Sequence, residues 1–357
     1  MEVIASAPGK VFVVGEYGVV EGGPAVVATV TRRLETRVRA LSGAGELRLQ
    51  LAGTTLRRPL DAEQIDDVPA EARFVAAAAM VAARVFALRG TDLEIATASD
   101  LDPGATKTGL GGSAAVTAAT VSAVQRIACP AESPMESTRT RVATALYAHR
   151  LAQGGGSGAD VVASSAGGLV WIDGLDGGDV PASVGAAAAR ARIAELRWAQ
   201  LELPATLALD VVATGRSCAT GPRVARYRAA FAGPQGHVLR AWAGGMRAAT
   251  EIFRDGCRTH DAATVLRATR LAGRLLSRLG AIAGLRVYTP ELRRACVLAA
   301  AQPGCAGKPS GAGGGDCAIA IVTREQRPAL RGRWSESGLF PLDVDLEPRG
   351  AACEVVA

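Results

Sequence analysis

Lysine is scarce in this 357-residue chain and asparagine is absent: the 40 basic residues comprise only three lysines, Lys10, Lys107 and Lys308, against 37 arginines. Such a bias points to a base composition that turns lysine into arginine wherever arginine serves. The surviving lysines then mark places that need a compact ammonium rather than a wide planar fork, and all three stand in or beside glycine-rich segments. Histidine is equally rare, with three residues, and no two of the seven cysteines have CxxC spacing, so a zinc site is not expected. Scattered and odd in number, the cysteines fit free thiols in a reducing compartment. Aromatics make up only 4% of the chain and the arginines are dispersed, which argues against a nucleic-acid partner despite a net charge of +6. A mild positive field also suits small anionic substrates. No apolar run reaches the ~20 residues of a membrane span; the most apolar window, residues 74–88, is interrupted by Arg84. The start, Met1-Glu2-Val3-Ile4, reads as a strand without a basic stretch or cleavage site. A cytoplasmic enzyme with no membrane partner is the expectation.

A composition of 49% hydrophobic and 21% charged residues excludes disorder, and the length exceeds what one core usually spans. Two lobes are expected, residues 1–190 and 191–357, divided near the glycine- and alanine-rich stretch 174–189. Strand patterns at 2–7, 10–14, 24–40, 92–98, 169–172, 205–213 and 317–322 alternate with helical ones. The helical stretches are 69–89, 113–127, 138–153, 218–232, 236–256, 260–281 and 290–302. Pro8-Gly9 is read as a break between the first two strands. The mixture in both halves gives an α/β (α+β) fold class, and no long repeat is present.

Three glycine-rich segments carry the chemistry. Lys107-Thr-Gly109-Leu110-Gly111-Gly112-Ser113-Ala114-Ala115 runs from a flexible loop into a long helix. Glycines let backbone amides approach a ligand, and the first amides of a helix lack intrahelical partners, so this is a phosphate-site pattern. Lys107 is placed to reach over the phosphates. Ser113 reads either as an Mg²⁺ or phosphate ligand or as an ordinary N-cap. The segment is not a Walker A motif, because no Gly-Lys-Ser/Thr triplet closes it. A second glycine run, 310–316, leads into a strand; close backbone approach to a ligand explains it better than a linker, and Asp316 reads as a turn former. The first segment, Ala7-Pro-Gly-Lys10-Val-Phe-Val-Val-Gly-Glu16-Tyr17, sets Lys10 in an apolar strand, either as a snorkelling edge residue or as a functional cation. Asp160, after Gly158-Ala159, is either a helix N-terminal carboxylate or a catalytic acid or base. His149 is read as structural.

Together these segments resemble the kinases of galactose, homoserine, mevalonate and phosphomevalonate, the GHMP kinases. The three motifs, at 7–16, 109–115 and 308–317, stand in that family's order, and the likeness extends over nearly the whole chain. Tyr17 after Gly15-Glu16, Lys107 before the second motif, and His149 to Gln153 leading into Gly156-Ser157-Gly158-Ala159-Asp160 make the chain most like the bacterial and fungal phosphomevalonate kinases. The resemblance implies a two-lobed GHMP fold, with an N-terminal lobe like a domain of a small-subunit ribosomal protein, a ferredoxin-like C-terminal lobe, and the site between them. It implies transfer of the ATP γ-phosphoryl group to 5-phosphomevalonate, giving 5-diphosphomevalonate on the mevalonate route to isoprenoids, with ATP and Mg²⁺ as cofactors. Lys10 and Asp160 are then the catalytic pair, and Lys107 with residues 109–115 holds ATP. Ser113 serves the metal, and Lys10, Tyr17, Ser157, Ser310 and Gly311 meet the acceptor. Two positions depart from the family pattern: Gly112 replaces a serine, and Ala213 replaces a tryptophan in Ala213-Thr-Gly, loosening one wall on the substrate side. The alternatives are a mevalonate or other small-molecule kinase, an ATP-dependent decarboxylase, and a non-catalytic nucleotide sensor. The oligomeric state is not set by the sequence.

Overall fold

The computed structural model describes residues 1–51, 53–102, 107–130, 134–175, 183–191 and 196–356. Parts of two expected features, the loop at 99–112 and the soft boundary at 174–189, lie outside the described residues.

In chain order the strands are β1 (Glu2–Val14), β2 (Ala25–Ser42), β3 (Glu46–Leu51), β4 (Thr54–Pro59), β5 (Thr91–Ser99), β6 (Leu169–Asp173), β7 (Arg197–Leu201), β8 (Leu207–Ala213), β9 (Cys305–Pro309), β10 (Cys317–Thr323), β11 (Phe340–Pro341) and β12 (Ala352–Val356). The helices are α1 (Arg73–Val85), α2 (Gly112–Ala128), α3 (Pro134–Gln153), α4 (Ala159–Ala166), α5 (Ala186–Ala191), α6 (Thr220–Ala232), α7 (Gly236–Arg258), α8 (Ala262–Ala283), α9 (Pro290–Ala300) and α10 (Arg327–Glu336). Among the described residues eight strands form one sheet, with the path β12-β1-β2-β5-β3-β4 and with β6 and β7 continuing from β2. Its pairings are antiparallel except for β3 with β5. The second sheet has the order β11-β8-β10-β9, all antiparallel.

Pro8-Gly9, expected from sequence to separate two strands, does not break the first strand. β1 runs through it, and the pairing with β2 shifts register between Pro8 and Gly9. A Cβ on Gly9 would lie 2.7 Å from Leu101 Cδ2 and 3.0 Å from the Leu110 carbonyl, so the glycine admits the loop that precedes α2. The irregularity therefore sits where the first two motifs touch.

α2 is buried nearly all round from Ala114 to Gln125. Such a helix has to lie at the centre of a lobe, and its small side chains let it approach β1, β2, α1, α3 and α4. In the second sheet, β10 alternates its faces. Ile319 and Ile321 join the main core with Val265, Ala268 and Leu276 of α8, while Ala318, Ala320 and Val322 pack with Leu292 and Ala295 of α9 and Trp334 of α10. The chain crosses between sheets more than once: β7 and β12 both follow residue 190 and pair in the first sheet. We propose the division near residue 190 as the lobe boundary, with these two strands as returns of the second half.

Candidate active site

Lys10 lies where the first two motifs meet. Its amide donates to the Leu110 carbonyl at 2.7 Å, and its Nζ donates to the Gly109 carbonyl at 3.4 Å. The glycines of the second motif are shaped by side chains from the other two. Gly111 has φ +81°, and a Cβ there would stand 2.5 Å from Lys10 Cε; Gly109 has φ +79°, and its Cβ would stand 2.4 Å from Asp316 Cβ. Both positions need a left-handed backbone and no side chain.

Gly111 is also the N-cap of α2, with no side-chain cap. Ser113 is therefore not the N-cap but the second residue of the helix, half-buried, and the opening amides of α2 are left for an anion. Ala115 is a correction to the expected phosphate contacts: its amide donates to the Gly111 carbonyl at 3.1 Å, inside the helix. The Leu110 side chain and its carbonyl are likewise turned inward, the carbonyl to Lys10. Gly112, Ser113 and Ala114 remain the residues whose amides open the helix. Lys107 is exposed beside this loop, and its charge acts on Asp316.

Ser113 Oγ is 3.4 Å from His149 Nε2. The His149 ring is buried against Phe74, with centroids 5.1 Å apart. Burial pushes the pKa of His149 down from 6.5; the Asp160 carboxylate opposes this, and Lys10 and Arg150 add to it. The unfolded chain therefore takes up this proton on descending through pH 6.5 while the folded chain does so only at lower pH. Stability is expected to fall as pH drops below that value, and to fall less in His149→Gln. Urea midpoints for both proteins at about pH 7.5 and about pH 5.5 check this. Equal slopes would contradict it.

On the other side of Lys10 lies a cleft lined by Lys10, Tyr17, Ser157, Asp160 and Gly311, five of the residues expected from sequence. Asp160 is the second residue of α4, which opens at Gly158 in the left-handed conformation. Its carboxylate accepts from the Val161 amide at 3.0 Å. Arg150, buried on α3, donates to the Ser157 carbonyl at 3.0 Å and holds the loop before α4 in place. Tyr17, with φ 59°, donates its hydroxyl to the Ala312 carbonyl at 2.8 Å. Burial pushes its phenol up to about 12, against the pull of Arg223, so it remains a donor at neutral pH.

Ser310 stands differently from expectation. Its Oγ accepts from the Phe12 amide at 2.8 Å, and the residue does not line the cleft, so it positions its neighbour Gly311. Sequence reading also missed Phe12, Glu16, Gln153, Thr220 and Val224 as wall residues, beside Val19, Val20 and Ala312. Asp316 keeps its expected turn role, at φ 55°, but sits in the site as well. Its Oδ1 accepts from the Cys218 amide at 3.1 Å, and its main-chain carbonyl accepts from the Thr214 amide at 2.8 Å. Burial pushes its carboxyl up, and the Cys218 amide and Lys10 pull it down. The one signal for Asp316 was its place at the end of the third motif. Ala213 does not line the cleft; it pairs with Cys317 and Phe340 in the second sheet.

Among the described residues no three His, Cys, Asp or Glu side chains cluster as a metal cage. A hydroxyl at the start of α2, as at Ser113, would suit Mg²⁺, which usually keeps phosphate and water oxygens and takes only one or two ligands from protein. Among the described residues, too, no helix is long and apolar enough to cross a membrane.

Residues 72–168 match the family model described as GHMP kinases N terminal domain, and residues 256–338 the model described as GHMP kinases C terminal. The chain is 32% identical over 96% of its length to a phosphomevalonate kinase from a Streptomyces strain, of which it covers 96%. A crystal structure of a Listeria innocua protein superposes with a TM-score of 0.84 at 23% identity, all of both chains being covered. The Streptococcus pneumoniae phosphomevalonate kinase in complex with phosphomevalonate and AMPPNP gives 0.76 at 17% identity, over 96% of this chain and 99% of that one. The structural likenesses show the fold; with the full-length sequence match and the meeting of three motifs around Lys10, they establish that the chain belongs to the GHMP kinase family.

Proposed function

We propose that this protein transfers the γ-phosphoryl group of ATP to the phosphate of 5-phosphomevalonate, giving 5-diphosphomevalonate and ADP. One observation carries the site reading: Lys10 touches the phosphate loop at Gly109 and also lines the cleft that holds Asp160, Ser157 and Tyr17. A single ammonium thus faces both the donor and the acceptor.

Phosphoryl transfer asks for placement and charge neutralisation more than for covalent chemistry. The amides of Gly112, Ser113 and Ala114 hold the donor phosphates at the α2 N-terminus, and Lys107 adds charge from the exposed side. Ser113 Oγ would hold Mg²⁺ together with the phosphates, where the ion neutralises charge on their oxygens. Lys10 draws the γ-phosphoryl oxygens and the acceptor phosphate together. In the step itself the bond from the γ-phosphorus to its bridging oxygen breaks, a bond from an acceptor phosphate oxygen to that phosphorus forms, and ADP leaves. An acceptor phosphate, with its second pKa near about 6, is already largely dianionic at neutral pH and needs no strong base. Asp160 acts chiefly by orienting the acceptor and Lys10. Tyr17 and Ser157 shape the acceptor wall, and Ser310 keeps Gly311 in it.

The test is a parallel assay of ADP release with mevalonate or 5-phosphomevalonate as acceptor. The expected result is a kcat/KM at least about 100-fold higher for the phosphorylated acceptor, because a site built to hold a charged group rejects the analogue that lacks it. Equal or reversed preference would favour a mevalonate kinase. Release of carbon dioxide with phosphate would reveal a decarboxylase, and no turnover with any acceptor a nucleotide sensor.

A further inference from the structure

Two of the three lysines serve the phosphates in this reading; Lys308 does not line the cleft. It is fully buried in β9, where its ammonium pairs with Glu16 and donates to the Pro309 carbonyl at 2.8 Å. Glu16 is 2% exposed and is itself part of the cleft wall. The pair joins the turn after β1, in the first sheet, to the strand that leads into Ser310 and Gly311, in the second. Two neutral contacts flank it: the Phe12 amide to Ser310 Oγ and the Tyr17 hydroxyl to the Ala312 carbonyl, each at 2.8 Å.

A buried ion pair is weak evidence for stability, since apolar residues of the same volume often hold a fold as well or better. This one is also incompletely satisfied: Glu16 Oε2 is buried without a hydrogen-bond partner among the described residues. A half-satisfied network is a poor device for holding two sheets together. It is a good one for fixing a distance, because a charged pair tolerates little displacement in a dry interior. α8 packs close against the base of this side chain: a Cβ on Gly273 would stand 3.4 Å from Lys308 Cβ.

We infer that Lys308 is a positioning residue for the acceptor: through Glu16 it sets the separation of Lys10 and Tyr17 on one wall from Gly311 on the other. The nucleotide loop, held by α2 and Asp316, is not set by this pair. The inference rests on the cleft being the acceptor site but not on which acceptor fills it, so the measurement uses whichever acceptor the wild-type protein turns over.

Lys308→Met is expected to raise the acceptor KM about tenfold while the ATP KM stays within about twofold. Because that variant leaves Glu16 buried and unpaired, the double variant Glu16→Gln/Lys308→Met is the safer measurement, with its fold checked by urea unfolding. It is expected to show the same split between the two KM values. Glu16→Gln with Lys308 retained keeps a hydrogen bond across the gap and is expected to raise the acceptor KM no more than the double variant, while the rise in Lys308→Met, at a residue outside the cleft, separates positioning from direct contact by Glu16. A folded double variant with both KM values near wild type, or an equal rise in both, would overturn the inference. A wild-type protein that turns over no acceptor would instead defeat the functional reading.

Discussion

Replacing Lys10 by alanine is expected to lower kcat about 1,000-fold while changing the KM for ATP only slightly. The ammonium stands between the Gly109 carbonyl and the acceptor cleft, where negative charge from two phosphates is brought together. Charge stabilisation there matters most when the phosphoryl group is in flight, so the loss falls on kcat rather than on binding. Arginine is not expected to restore the rate, because Lys10 Cε lies 2.5 Å from where a Gly111 Cβ would sit, and a planar fork has no room to turn there. Initial rates at saturating ATP and acceptor check this. A variant within tenfold of wild type would remove Lys10 from the mechanism.

The second large effect is expected at Gly111. Alanine at this position meets a left-handed φ of +81° and the Lys10 side chain at once. A non-glycine residue held there costs of order 1–3 kcal/mol, and it relieves the clash only by moving Lys10 or opening the α2 N-cap. A fall of about 100-fold in kcat/KM for ATP is expected, far beyond what the strain does to folding. At Gly112, where φ is not positive and the nearest atom to an added Cβ is Leu101 Cδ1 at 4.0 Å, the loss from alanine is expected to be at least about tenfold smaller. Equal losses at the two positions would mean that loop flexibility matters, and the fit against Lys10 does not.

The contrast between these glycines shows how far the site was legible in sequence. Lys10, the second motif and Asp160 stood out because glycine and lysine carry strong local meaning, the lysines all the more in a chain so rich in arginine. The long helices α2, α7 and α8 were equally plain from their apolar pattern. What could not be read depended on contacts far apart in sequence. Ser310 offered a hydroxyl that suits a substrate, but the Phe12 amide, 298 residues away, takes it. Lys308 resembled its two fellows until Glu16, 292 residues away, met it in the interior. Pro8-Gly9 looked like a break because the partner strand that absorbs the irregularity is invisible locally. The strands β3, β4, β7 and β12 carry many polar or exposed positions, which hides their period, and β12 finds its place only by pairing with β1.

The most direct test of two phosphates meeting at one ammonium is ³¹P NMR of the wild-type protein with ATP, Mg²⁺ and 5-phosphomevalonate. The monoester resonance is expected to give way to a pair of coupled diphosphate resonances, at the rate at which ADP appears. A monoester resonance that persists while ATP is consumed would contradict the account, because the phosphoryl group would then be going somewhere other than an acceptor phosphate.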